Sequence, residues 1–253
     1  MTDSVKLLST AQTQAFDTEY VDDAMFDFVV EALDKYQVSQ APFKLMDVGG
    51  GNGKYVDKVL HRFANASAIL VEPEHSLAEK NRPDLRKQVL QSTFQSVALP
   101  SQLQAVQFNW VLHHFVTEGY QNTCRVQQQA LRDAYNALAP GGIVLIFENF
   151  YEGALLEDLP SQLIFHLTSS KALAPMTEKL GANTAGVGVC FHSAYFWRQQ
   201  LAQVGFNNIS ERHCYDFGSL SILKRIGLTL KNQRVGLLVA QKPLANGQSE
   251  LSG

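Results

Sequence analysis

Apolar residues recur at helical spacing before residue 42. Met25, Val29, Leu33 and Tyr36 fall at i, i+4, i+8 and i+11, a stripe on one helix face, and Phe16 and Tyr20 stand one turn apart. Asp22 and Asp23 lie near the start of this segment, where the helix dipole favours negative charge. Ala41-Pro42 then breaks the pattern, because a residue before proline avoids the helical region. Residues 1–42 are expected to form an N-terminal helical cap.

From residue 43 short apolar runs alternate with helical stretches. The pattern predicts strands over 44–48, 68–72, 87–90, 105–112 and 143–148. Between them it predicts helices over 53–64, 76–81 and 123–138, the first burying Val56, Val59, Leu60 and Phe63, the last stopped by Ala139-Pro-Gly-Gly142. The rhythm stops over 151–191, which carries Pro160, Pro175, Gly181, Gly186 and Gly188 and a helical piece near 162–173. About 40 residues is too long for an ordinary connection, so this is read as an insertion with its own job. A helix over 193–204, capped by Ser193, and strands over 206–215 and 234–241 follow, and 243–253 reads as a flexible tail. Such strand–helix alternation predicts an α/β protein: a doubly wound, seven-stranded, mostly parallel sheet in one domain, residues 43–242.

Composition narrows the partners. Of 253 residues 45% are hydrophobic and 18% charged, which excludes disorder along the whole length. The net charge of −3 and the lack of a Lys/Arg-rich face argue against nucleic acid or an anionic membrane as partner. The longest apolar runs fall far short of the roughly 20 residues of a membrane helix, and the N-terminus has no signal-peptide pattern. Cys124, Cys190 and Cys214 are odd in number and form no Cys-x-x-Cys, which suits a reduced cytoplasmic protein, monomer or homodimer. Cys190-Phe-His192 and His213-Cys214 lack the paired spacing of a closed zinc site, so no metal is expected.

The strongest chemical signal is Asp47-Val-Gly-Gly-Gly-Asn-Gly-Lys54, between a strand and a helix. Glycines let the chain turn sharply and let a ligand approach the backbone, and the exposed N–H groups favour anions. Glu72 ends the next strand, roughly 20 residues on, where a carboxylate accepts both hydroxyls of an adenosine ribose. The third glycine of the NAD fingerprint is missing: Lys54 or Val56 stands there. Asp-x-Gly-x-Gly, the spaced Glu72 and the block Leu138-Ala-Pro-Gly-Gly142 together resemble the class I S-adenosylmethionine (SAM) methyltransferases, over about residues 43–150. That resemblance implies a Rossmann-like methyltransferase fold with an antiparallel final strand, and SAM as cofactor. It turns Asp47, Gly49 and Gly51 toward the methionine end, gives Glu72 the ribose, packs Pro73 on the adenosine, lays Ser92, Thr93 and Phe94 along the adenine, and brings Asn109 to the methionine moiety.

Asn109-Trp-Val-Leu-His-His-Phe115 puts two histidines at a strand's C-terminal end, the ligand edge of a doubly wound sheet. The stretch is similar to small methyltransferases that act on quinone-like and lipid-like substrates. It also resembles plant-type small-molecule O-methyltransferases, in which a histidine after strand four is the base and a glutamate ending strand five braces it. On that resemblance His113 is the catalytic base and Glu148 its brace; His114, where that family has an acid, is expected to face solvent or serve structure. The implied reaction is methyl transfer to a small-molecule hydroxyl or phenol. N- or C-methylation with His113 only shaping the pocket, and SAM binding without methyl transfer, stay open. The insertion is expected to lid the substrate cavity, with Ile164, Phe165, Leu167, Met176 and Leu180 apolar and His166, Thr168, Asn183, Cys190 and His192 polar.

Overall fold

A computed structural model describes residues 5–7, 21–179, 184–218 and 222–245. Phe16, Tyr20, Leu180, Gly181 and Asn183 lie outside the described residues, as does the tail beyond residue 245. Seven strands form one sheet in the order β3-β2-β1-β4-β5-β7-β6. They are β1 (Phe43–Val48), β2 (Ala66–Val71), β3 (Lys87–Leu90), β4 (Leu103–Asn109), β5 (Leu138–Gly153), β6 (Asn207–Asp216) and β7 (Leu230–Gln241). The first five pair in parallel, and β7 runs antiparallel to both β5 and β6. The antiparallel final strand and the α/β class are as the sequence implied.

The helices are α1 (Asp23–Lys35), α2 (Lys54–Arg62), α3 (His75–Ala78), α4 (Tyr120–Ala137), α5 (Leu159–Ser169), α6 (Ala174–Lys179), α7 (Ala194–Val204) and α8 (Ile222–Gly227). Period-two alternation along β1 sends Leu45 to one face of the sheet and Met46 to the other, both fully buried. On Leu45's face α1 contributes Met25, Val29 and Leu33, and α2 contributes Val56, Val59 and Leu60. On Met46's face α4 brings Ala130, Leu131 and Ala134, and α7 brings Trp197 and Leu201. Asp22 caps α1, accepting from the Met25 N–H at 2.8 Å, and Ser193 caps α7, accepting from the Phe196 N–H at 3.1 Å. No helix among the described residues is long and apolar enough to cross a membrane.

Most boundaries shift by a few residues from the pattern's expectation, and two shifts have a clear cause. The fourth strand stops at Asn109 instead of 112, because Trp110 takes a left-handed φ of 50° and Leu112–His114 closes a 3-10 turn. The fifth begins at Leu138, inside the block read as a stop. Leu138 pairs with Leu103, and Gly141 N–H donates to the Lys242 carbonyl, so a long-range ladder holds the Pro-Gly-Gly in the sheet.

The chain passes from β1 outward through β2 and β3, then returns to β4 on the other side of β1. The C-terminal ends of β1 and β4 thus flank a crevice where the winding reverses.

Candidate active site

That crevice holds a cavity of about 420 Å³, an ordinary size for a small-ligand site. Its lining includes Asp47, Gly49, Gly51, Glu72, Pro73, Thr93, Phe94, Asn109 and His113. The glycine turn is built for close approach. Gly49 has φ +69°, and a Cβ there would stand 2.7 Å from Val111 Cγ2; Gly51 has φ +55° and faces open space within the cavity.

Asp47, fully buried, ends in unequal oxygens. Oδ1 accepts from Asn109 Nδ2 at 3.3 Å, whereas Oδ2 has no hydrogen-bond partner. Burial first, and then the charge of Glu72, push its carboxyl from 3.8 up to about 8, against the Asn109 hydrogen bond. Asn109 is itself held by a relay: Tyr55 OH donates to Gln107 Oε1 at 2.9 Å, and Gln107 Nε2 donates to Asn109 Oδ1 at 2.7 Å. The relay fixes which way the Asn109 amide points. Tyr55 and Gln107 belong to no motif, and sequence reasoning missed both.

Glu72 follows β2. Its Oε2 accepts from the Gly51 N–H at 3.0 Å and its Oε1 from the Glu74 N–H at 2.8 Å, so glycine turn and carboxylate position each other. Burial raises its carboxyl above the usual range, opposed by these two hydrogen bonds. Phe94 packs against Phe108 and Phe115 beneath the cavity, with centroids at 5.6 and 6.4 Å. Ser92 is not in the lining. Its N–H closes a tight turn on the Leu90 carbonyl and its hydroxyl donates to the Thr93 carbonyl at 3.3 Å; Gln95, unforeseen, lines the cavity instead.

His113 sits on the 3-10 turn after β4. Its Nδ1 is 2.7 Å from Glu148 Oε2, and its backbone N–H donates to Glu148 Oε1 at 3.3 Å. One carboxylate therefore grips both ring and main chain. In the neutral imidazole this partner puts the proton on Nδ1 and leaves Nε2 as an acceptor. Glu148 is buried behind the ring, outside the cavity lining. His114 lines the cavity rather than facing solvent, and burial, then His113, push its imidazole well below 6.5. Trp110, stacked on Phe147 at 5.4 Å, donates to Asn149 Oδ1 at 3.1 Å and joins Val21, Tyr55 and Tyr215 in the wall.

None of the described residues of the insertion lines the cavity, and Val5, Lys6 and Leu7 are in its lining. Phe165 and Cys190 are buried with Val116 and Tyr120; the Thr168 hydroxyl donates to the Ile164 carbonyl; Met176 is exposed; His192 is fully buried. The apolar pattern there records burial against α4 and the sheet. What the segment supplies to the site is support: Phe191 lies 4.4 Å from the His113 ring, and the Cys190 N–H donates to the His113 carbonyl at 3.0 Å.

Comparison with known proteins follows the geometry. A family model described as a methyltransferase domain matches residues 18–211. Eugenol O-methyltransferase of Sorghum bicolor is 28% identical over 121 residues, which are 48% of this chain and 30% of that enzyme. The chain thus spans less than a third of that relative. Among solved structures, Haemonchus contortus phosphoethanolamine N-methyltransferase 2, in complex with S-adenosyl-L-methionine, aligns with a TM-score of 0.58 at 14% identity, over 92% of this chain and 56% of that one. The [4+2]-cyclase SpnF aligns at 0.56 and 14%, over 84% and 82%. These two likenesses are of fold.

Proposed function

The chain belongs to the methyltransferase-domain family, and from that premise we propose that it transfers a methyl group from SAM to a hydroxyl or phenol of a small molecule in the cytoplasm. The observation that carries the acceptor chemistry is the His113–Glu148 pair, 2.7 Å apart, with His113 lining the same cavity as Asp47, Gly51 and Glu72. Two features fit the cofactor. Asp47 Oδ2 is a buried acceptor with no partner, suited to an ammonium group, and Gly51 leaves open the space that a side chain would fill. When bound, SAM supplies a methyl group on a sulfonium, ready for in-line displacement.

The protein's own residues do the rest. Asp47 and Asn109 hold the amino-acid end, and Glu72 takes the ribose hydroxyls. Thr93, Phe94 and Gln95 border the adenine, with Pro73 against the adenosine. His113 Nε2 accepts the acceptor's hydroxyl proton while Glu148 holds Nδ1–H and stabilises the imidazolium. Positioning of the two reactants supplies much of the remaining rate.

Substitution of His113 by Ala tests the base. The expected result is a loss of about 10² to 10⁴ in kcat with SAM affinity retained, and disappearance of the acidic limb of the pH–rate profile. A raised KM with kcat within about tenfold would instead assign His113 to pocket shape and favour an amine acceptor. SAM binding with no methylated product from any acceptor would point to a non-transferring role, a possibility the cyclase neighbour keeps in view.

A further inference from the structure

Behind the cavity lies a second cluster that methyl transfer does not use. Cys124 of α4 meets Cys190 and His192 from the segment before α7, and the sulfur and nitrogen atoms lie within 4.8 Å of one another. His192 is fully buried. Its Nδ1 is 2.8 Å from Asp158 Oδ1, and Tyr120 OH donates to the other oxygen of that carboxylate. Its Nε2 is 2.9 Å from Gln127 Oε1 and 3.4 Å from Cys190 Sγ.

The orientation of Gln127 decides the protonation state. Gln127 Nε2 donates to the Leu112 and Cys190 carbonyls, both at 3.0 Å, so its oxygen must face His192. An amide oxygen only accepts, so His192 Nε2 carries a proton. Nδ1 faces Asp158 Oδ1 at 2.8 Å and Ser161 Oγ at 3.2 Å, and the carboxylate favours a second proton there. Against burial, the Asp158 hydrogen bond draws His192 above its usual value and toward the imidazolium beside the two sulfurs. A cation there favours a thiolate on the neighbouring half-buried Cys124. Consistently, the Cys190 hydrogen bond and then His192 draw the Cys124 thiol down to about 5, while burial pushes Cys190 well above 9. One sulfur is a nucleophile and its neighbour holds a proton. Cys214, on β6, provides an internal contrast: burial pushes its thiol up to about 11.

We propose that Cys124 and Cys190 form a peroxide-reactive dithiol site, in which the Cys124 thiolate attacks a hydroperoxide and Cys190 resolves the product as a disulfide. In the first step a Cys124 S–O bond forms and the peroxide O–O bond breaks. Cys124 becomes a sulfenic acid, and the leaving oxygen departs as hydroxide or alkoxide, taking a proton from water or His192. In the second, Cys190 sulfur attacks the sulfenic sulfur, the S–S bond forms, the S–O bond breaks, and the Cys190 proton leaves with the oxygen as water. Two electrons pass from the thiol pair to the peroxide.

The test uses the full chain, reduced and desalted, with hydrogen peroxide as probe and intact-mass and peptide mass spectrometry as readout. The expected product has lost two hydrogens and carries a Cys124–Cys190 cross-linked peptide, with Cys214 still alkylatable. Cys190→Ser should stop at a sulfenic acid on Cys124, trapped by a dione reagent, and Cys124→Ser should give neither product. Alkylation of Cys124 by iodoacetamide at pH 6 should be at least about tenfold faster than that of Cys214, and Asp158→Asn should narrow the gap. Equal oxidation of Cys124 and Cys214, or no cross-link in the parent protein, overturns the proposal. So does one equivalent of zinc in the purified protein whose removal by chelator alone exposes the thiols, since the cluster would then be a metal site.

Discussion

Two buried histidines, His113 and His192, each pair with a carboxylate, and the Cys190 N–H on the His113 carbonyl links their neighbourhoods. His113–Glu148 closes at 2.7 Å on the turn after β4, and His192–Asp158 closes at 2.8 Å where the insertion joins α7. By distance they are the same device. They differ at the other ring nitrogen. His113 lines a cavity, whereas the Gln127 amide oxygen faces Nε2 of His192 at 2.9 Å and holds a proton on it. A carboxylate fixes one end of an imidazole; what faces the other end determines whether the ring is a base in waiting or a fixed cation.

The contrast breaks most directly in the variant with the largest expected effect. His113→Ala should lower kcat by about 10² to 10⁴ in steady-state methyl-transfer assays on the folded protein, and Glu148→Gln should lose less. Its counterpart His192→Ala should act on stability and spare the cofactor site. It leaves the Asp158 carboxylate and the Gln127 oxygen without their partner, costing about 3 kcal/mol in denaturant unfolding, while SAM affinity measured calorimetrically on the folded protein stays within about threefold. If His192→Ala abolishes turnover in a stably folded protein, the two pairs are not separate devices.

The residues proposed to hold the cofactor line the cavity that His113 lines. Glu72→Ala should therefore weaken SAM binding by about 2–4 kcal/mol, roughly 30- to 1000-fold, and Cys190→Ser should leave it within a few-fold; titration calorimetry reads both. A pH titration extends the comparison to Asp47, a fully buried acid. Its folded-state carboxyl is raised from 3.8 to about 8. The folded protein thus keeps a proton that the unfolded chain releases, so the contribution to stability is full below pH about 4 and is lost as pH rises through about 8. Between those limits unfolding free energy of the SAM-free protein should fall with pH by about 1.4 kcal/mol per unit from this group, and Asp47→Asn should flatten the slope. A parent protein with no such slope would place the proton elsewhere.

The reach of sequence reasoning followed the range of the contacts. Asp47, Glu72 and Asn109 were grouped by the methyltransferase resemblance, and a doubly wound sheet gathers successive strand ends on one edge. Glu148 and His113, paired on the resemblance to plant-type O-methyltransferases, meet because β5 is the neighbour of β4. Ser92 was misplaced because the loop after β3 has no periodic frame: a turn of one residue more or less reverses a side chain. The Tyr55–Gln107 relay joins residues 52 apart, and the Gln127–His192 contact joins residues 65 apart, with no local spacing to announce either. Of the insertion's apolar residues Phe165 is buried and Met176 exposed, and a hydrophobic pattern does not name the surface it packs against: the described residues of the segment lie outside the cavity lining. The fifth strand's early start had the same origin, since it depends on a ladder to residues on β4 and near β7 that no local stretch contains.

The chain has two tryptophans, and they fall one to each region. Trp110 is in the wall of the cavity, held at φ 50° and stacked on Phe147, so its emission reports what enters there. Trp197 is sealed from solvent with its ring edge-on to His192 at 5.2 Å, where a protonated imidazole quenches it. Single-tryptophan proteins made by Trp197→Phe and Trp110→Phe would thus be separate optical probes: one brightens or dims with ligand, the other with the charge on a histidine that no ligand touches.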